Sequence, residues 1–179
     1  VSSPESLDDL LPPEAVAGQV DAADWRAAVR AAGDLLVLTG STTPAYTDQM
    51  IAALDRNGPY IVITPGFALA HAEPSRDVLR NGMSFVQLAH PVRFGHPAND
   101  PVQLIAALAS SDGRSHMGPL LQLAHVLSGP GTMERLREAA TVEELRHLIG
   151  LRPITDPAAQ TTDHDGRRTI GAPTRGMDA

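Results

Sequence analysis

From Asp21 to Ile149 the chain alternates capped helical segments with short apolar runs, a pattern that restricts it to an α/β domain of two or three layers. In "DAADWRAAVRAAGDLLVLTG", Asp21 is placed to cap a helix, and Asp24 falls in its first turn. Trp25, Ala28, Val29 and Ala32 share one face, and Gly40 is the stop. In "TPAYTDQMIAALDRNG", Thr43 is the cap, Pro44 the first helical residue and Gly58 the close. "YIVIT" is short and β-branched, so it reads as a buried strand. "FALAHA", after the Pro65–Gly66 turn, and "MSFVQL" read as two more strands. "VQLIAALAS" fits strand or helix equally by periodicity. "RSHMGPLLQLAHVLSG" and "TMERLREAA" read as helices. The last helix opens with "TVEE", a capping box with Thr141 as cap and Glu144 three residues on.

The 179 residues suffice for one well-cored domain and leave little for a second. Residues 1–151 read as that domain. Beyond Pro153, Pro, Thr, Asp and Gly dominate and hydrophobic periodicity stops, so residues 152–179 are expected to form a disordered tail. Aromatics make up only 3%, which leaves the core to Leu, Ala, Val and Ile. The formal charge is −7, and all 14 cations are arginine. A uniformly acidic chain without a basic cluster suits neither nucleic acid nor anionic lipid, and fits a basic protein partner better. With no cysteine, disulfides, thiolate catalysis and cysteine-ligated zinc are excluded. No run approaches the roughly 20 apolar residues of a membrane helix. "VSSPESLDDLLPPE" lacks the basic patch and apolar core of a signal peptide, so the cytoplasm is the expected compartment.

Seven histidines are the candidate chemistry. His164 lies in the tail and His147 in the last turns of a helix, where a cation suits the carbonyl end. His125 reads as partly buried packing in mid-helix, and His90 and His96 flank the loop or hairpin "PVRFG". His71 and His116 differ. His71 ends a strand-like apolar run, where a rigid sheet hands a functional residue to a loop. His116 opens a helix whose first amides lack internal partners and suit an incoming phosphoryl group. No H-x-x-x-H or H-E-x-x-H spacing supports a metal site.

"GPYIVITPGFALAHAEP" at 58–74, "GMSFVQLAHPVRFGHPANDPVQLIAALASSDGRSHMGPLLQLAHVLS" at 82–128 and "LREAATVEELRHLI" at 136–149 resemble the enzyme IIA component of bacterial phosphotransferase systems. The resemblance is to the ascorbate-type branch of the mannitol–fructose class, and residues 21–54 fit that branch too. It implies a mixed β-sheet flanked by helices on both faces, with "VQLIAALAS" as a strand. It also implies a phosphoryl relay without cofactor or metal. The carrier HPr, phosphorylated on histidine, donates to IIA, and the IIB component then receives the group for a sugar crossing the membrane through IIC.

The family's phosphorylated histidine maps onto His71, within Ala68, Leu69, Ala70, His71 and Ala72, and its second active-site histidine maps onto His116. The implied roles are nucleophile for His71 and phosphoryl stabiliser for His116. Asp112 either holds the His116 ring in one tautomer or caps the helix. An imidazole suits relay because it is largely neutral at cell pH and its phosphoramidate leaves readily. Two positions depart from the family. Ala70 replaces a proline before the nucleophile, and Glu73 replaces an arginine two residues after it. An anion there disfavours the phosphorylated form unless Arg76 or Arg114 compensates. The alternative function is therefore a regulatory IIA-like protein that binds partners according to phosphorylation state.

Overall fold

A computed structural model describes residues 5–114 and 117–154. In chain order the elements are α1 (Leu7–Leu10), a 3-10 turn (Pro13–Ala15), β1 (Val16–Val20), α2 (Trp25–Leu38), α3 (Pro44–Asn57), β2 (Val62–Thr64) and β3 (Phe67–His71). They continue with β4 (Gly82–Val92), β5 (Val102–Ala109), α4 (Met117–Leu127), α5 (Thr132–Glu138) and α6 (Val142–Ile149). The expected tail is described only over 152–154, and its remainder lies outside the described residues.

The strands form one sheet in the order β1-β4-β5-β3-β2. β1 with β4 and β3 with β5 run parallel, whereas β4 with β5 and β2 with β3 run antiparallel. The sheet is therefore mixed. Along β5 the side chains alternate between two cores: Ile105, Ala107 and Ala109 pack with residues of α2 and α3. Leu104, Ala106 and Leu108 pack with residues of α1, α4, α5 and α6. Helices thus cover both faces. β5 is the middle strand and is buried almost throughout, so it shows no polar alternation; that is why its period could not separate strand from helix.

Several local expectations shift. The cap of α2 is Asp24 rather than Asp21: its Oδ1 accepts the Ala27 N–H at 2.8 Å. Starting the helix at Trp25 turns Ala28, Val29, Ala32 and Leu36 onto the sheet. Thr43, Pro44 and Gly58 bound α3 as expected, but the Thr43 hydroxyl donates to Asp77 Oδ1 at 2.7 Å and makes no cap bond. "YIVIT" gives only the short edge strand β2, with Ile63 exposed because an edge strand has one covered face. β4 runs on to Val92, so it includes His90 and takes Pro91 and Val92 out of the expected loop or hairpin. His125 is exposed, not partly buried. Thr141 Oγ1 accepts the Glu144 N–H at 3.1 Å, while Glu144 Oε2 accepts the Ala140 N–H at 3.0 Å, one residue beyond the cap N–H that a reciprocal box uses.

β1 was not anticipated from the sequence, because Gly18 and Gln19 interrupt its apolar run. Both serve the wholly buried Gln87 of β4. Gln87 Oε1 accepts the Gln19 N–H at 3.2 Å, and its amide donates to the Leu136 and Ala139 carbonyls at 2.8 Å each. A side chain at Gly18 would meet that same Oε1 at 3.1 Å. The contact ties β1, the sheet and the α5–α6 junction together.

Candidate active site

Because β3 and β5 are parallel, their carboxyl ends open on the same edge of the sheet, where α/β proteins usually place ligands. There a cleft of about 660 Å³ is lined by His71, Tyr60, Arg56, Glu73, Ser110 and Gly113, among others. His71 is the last residue of β3 and pairs in register with Leu108 of β5. Its ring is half-buried.

The Nδ1 atom of His71 lies 2.8 Å from the Leu69 carbonyl oxygen. That oxygen can only accept, so Nδ1 carries a proton, and in the neutral ring Nε2 is the nitrogen with the lone pair. Tyr60 meets the ring edge-on, with centroids 5.5 Å apart and planes at 86°. Behind the site, the buried Tyr46 hydroxyl accepts the Ala72 N–H at 3.1 Å and donates to the Leu108 carbonyl at 2.7 Å. It fixes the backbone just after His71 to the end of β5. The next segment is held as well: Gln49 Oε1 accepts from Ser75 Oγ at 3.0 Å, and Gln49 Nε2 donates to Asp77 Oδ2 at 2.7 Å.

Burial raises the pKa of the Tyr46 phenol. The Tyr60 phenol is also raised, chiefly by burial; Arg56 lowers it and Glu73 raises it. Arg56 and Glu73 thus flank that phenol with opposite signs. Glu73 lies at the cleft, as its place in the sequence implied. The expected compensating cations do not. Arg76 and Arg114 are exposed, and the cation lining the cleft is Arg56 from the last turn of α3. Sequence reasoning missed Arg56 and Tyr60 because packing of α3 and the β2–β3 pairing bring them in from outside the His71 segment.

His116 lies outside the described residues. Asp112 sits in the loop after β5, exposed, where its Oδ1 accepts the Arg114 N–H at 2.9 Å and the Ser110 hydroxyl at 3.4 Å. Ser110 Oγ accepts the Gly113 N–H at 3.0 Å, so this loop folds on its own side chains beside the cleft. Among the described residues no group of three or more His, Cys, Asp or Glu side chains comes together as a metal site.

The family model for the phosphoenolpyruvate-dependent sugar phosphotransferase system, EIIA 2, matches residues 9–150. The chain belongs to this family. It is therefore a IIA component, a phosphoryl-relay phosphotransferase of sugar uptake. It is 32% identical over 143 residues to the ascorbate-specific PTS system EIIA component of Shigella boydii, covering 79% of this chain and 93% of that one. The solution structure of the mannitol-specific cryptic phosphotransferase enzyme IIA of Escherichia coli superposes with a TM-score of 0.71 at 29% identity, covering 81% of this chain and 98% of the other. The complex of mannitol enzyme IIA with phosphorylated enzyme IIB from the same organism matches with a TM-score of 0.68 at 26% identity, over 76% of this chain and 94% of that one. Both share the mixed, helix-covered sheet. Among the described residues no helix is long and apolar enough to cross a membrane.

Proposed function

We propose that His71 is the phosphoryl acceptor of the relay, charged by phosphorylated HPr and discharged to the IIB component in the cytoplasm. The observation that carries this reading is the 2.8 Å contact from Nδ1 to the Leu69 carbonyl, which leaves Nε2 as the nucleophile beside the cleft. In the first transfer the Nε2 lone pair forms a bond to phosphorus as the phosphorus–nitrogen bond of HPr breaks. The bonding electrons stay with the departing HPr imidazole. The second transfer reverses the pattern, with the IIB nucleophile attacking and the His71 ring leaving. Keeping Nδ1–H hydrogen-bonded throughout holds the phosphorylated ring in its protonated form, the better leaving group.

Little is asked of the scaffold beyond position and charge. Arg56 supplies the cation at the cleft. His116, three residues beyond the cleft-lining Gly113, is assigned to the phosphoryl oxygens, and Asp112 to orienting that ring or capping the helix. The IIB assignment is supported by the match to a IIA chain solved with phosphorylated IIB. IIC, which moves the sugar, is met only through IIB.

Incubation with phosphorylated HPr and intact-mass measurement test the reading. The unmutated chain should gain one phosphoryl group, labile in acid and stable in base. His71→Ala should gain none. His116→Ala should still gain it but pass it on about 10²–10³ more slowly, the usual cost of one lost stabiliser of developing charge. Undiminished phosphorylation of His71→Ala would overturn the assignment. Glu73 at the cleft favours one other reading, a regulatory IIA-like protein, and an unmutated chain that authentic phospho-HPr does not modify would select it.

A further inference from the structure

We infer that the Glu73 carboxylate lowers the stability of phosphorylated His71 and so favours onward transfer over storage of the phosphoryl group, an inference that rests on His71 being the acceptor.

Glu73 follows His71 by two residues and lines the same cleft. Its backbone is held from both sides. The Ala72 N–H donates to the Tyr46 hydroxyl at 3.1 Å, and the Ser75 hydroxyl donates to Gln49 Oε1 at 3.0 Å. Between them Pro74 has a fixed φ and biases Glu73 toward extended backbone. The side chain thus starts from a fixed point beside the acceptor, although it is exposed.

Among the described residues no ion pair or hydrogen bond engages the Glu73 carboxylate, and none engages the Arg56 guanidinium. The two opposite charges therefore act at the cleft separately instead of cancelling in a pair. Tyr60 feels both. Its ring centroid lies 5.5 Å from that of His71, and its phenol, raised chiefly by burial, is lowered by Arg56 and raised by Glu73. Glu73 thus opposes negative charge next to the His71 ring. A phosphoryl group on His71, close to a dianion at neutral pH, meets the same repulsion. Water screens an exposed carboxylate, so the expected effect is modest, about 1.5- to 5-fold in population, as for exposed charge pairs.

The overall equilibrium from HPr to IIB belongs to those two partners, and no property of the carrier between them alters it. Whatever Glu73 takes from loading it therefore adds to unloading.

The experiment equilibrates the full chain and its Glu73→Gln, Glu73→Asp and Glu73→Arg variants with phosphorylated HPr. Intact mass gives the phosphorylated fraction, and single-turnover transfer gives the half-saturating HPr concentration. Glu73→Gln should raise the equilibrium constant for loading by about 1.5- to 5-fold. Glu73→Arg should raise it further, and Glu73→Asp, which keeps the charge, should stay near the parent. The differences between variants should shrink in about 1 M salt, where the screening length falls to about 3 Å.

An unchanged loading constant in Glu73→Gln would overturn the inference, as would an Asp variant altered as much as the Gln variant. A change confined to half-saturation would also overturn it, by making Glu73 a docking contact for a cation of the partner. In every background His71→Ala should abolish the mass gain. A surviving gain would overturn the acceptor assignment itself, which an unchanged loading constant leaves intact.

Discussion

Tyr46 shows how one buried hydroxyl couples the site to the stability of the chain. It is wholly buried and joins the backbone after His71 to the end of β5 through Ala72 and Leu108. Tyr46→Phe leaves a half-buried N–H and a buried carbonyl short of a partner, at a cost of about 1–3 kcal/mol. It should also change the response to alkali. Burial raises the folded-state pKa of this phenol above its ordinary 10.0. Below that pH both states keep the proton and stability is flat. Above it the unfolded chain releases a proton that the folded chain retains, so stability falls as pH rises. Urea unfolding across the alkaline range should show a shallower decline for Tyr46→Phe than for the parent, on top of its lower stability at neutral pH. Equal slopes would mean the phenol is not shielded from water.

At the scale of elements, the contact between α2 and α3 turns on Gly33. A Cβ built there would lie 2.3 Å from Thr47 Oγ1 and 2.6 Å from its Cγ2. Gly33→Ala gains up to about 1 kcal/mol of helix propensity. Overpacking costs about 1–3 kcal/mol, and at such distances it wins. Net destabilisation is expected in denaturant unfolding, with partial recovery in the double variant Gly33→Ala, Thr47→Ala. The second change sacrifices no hydrogen bond, because the Thr47 hydroxyl has no partner among the described residues. Additive losses in the two single variants would refute this account.

What the sequence revealed at this scale was whatever local chemistry decides. Thr43, Pro44 and Gly58 bound α3, and Thr141 caps α6. The cap of α2 moved by one turn because Asp21 and Asp24 are both good caps, and the apolar face chooses between them. β1 escaped because its Gly18 and Gln19 answer to Gln87, a residue far along the chain. The site divides in the same way. His71 was legible from its own segment, whereas Arg56 and Tyr60 reach it through helix packing and strand register.

Over the whole molecule the dominant long-range feature is charge, −7 with 14 arginines and no lysine. The relay described above requires repeated short encounters, so how quickly the partner finds the cleft bears on its rate. A net acidic chain attracts a carrier that presents positive groups around its histidine, and such steering raises association rates by roughly 10–10³. The attraction acts over the Debye length, about 30 Å at 0.01 M salt and about 10 Å at 0.1 M. Raising ionic strength across that range should therefore slow association with phosphorylated HPr by about tenfold or more. The rate of phosphoryl transfer within the bound complex should stay the same, since the groups at the cleft lie well inside even the shorter length. Stopped-flow measurement at low and saturating HPr separates the two. An association rate insensitive to salt would shift the encounter onto apolar surface, where the exposed Ile63 of β2 and Leu121 of α4 are two of the available side chains. Ile63→Asp would then be expected to weaken binding where salt does not.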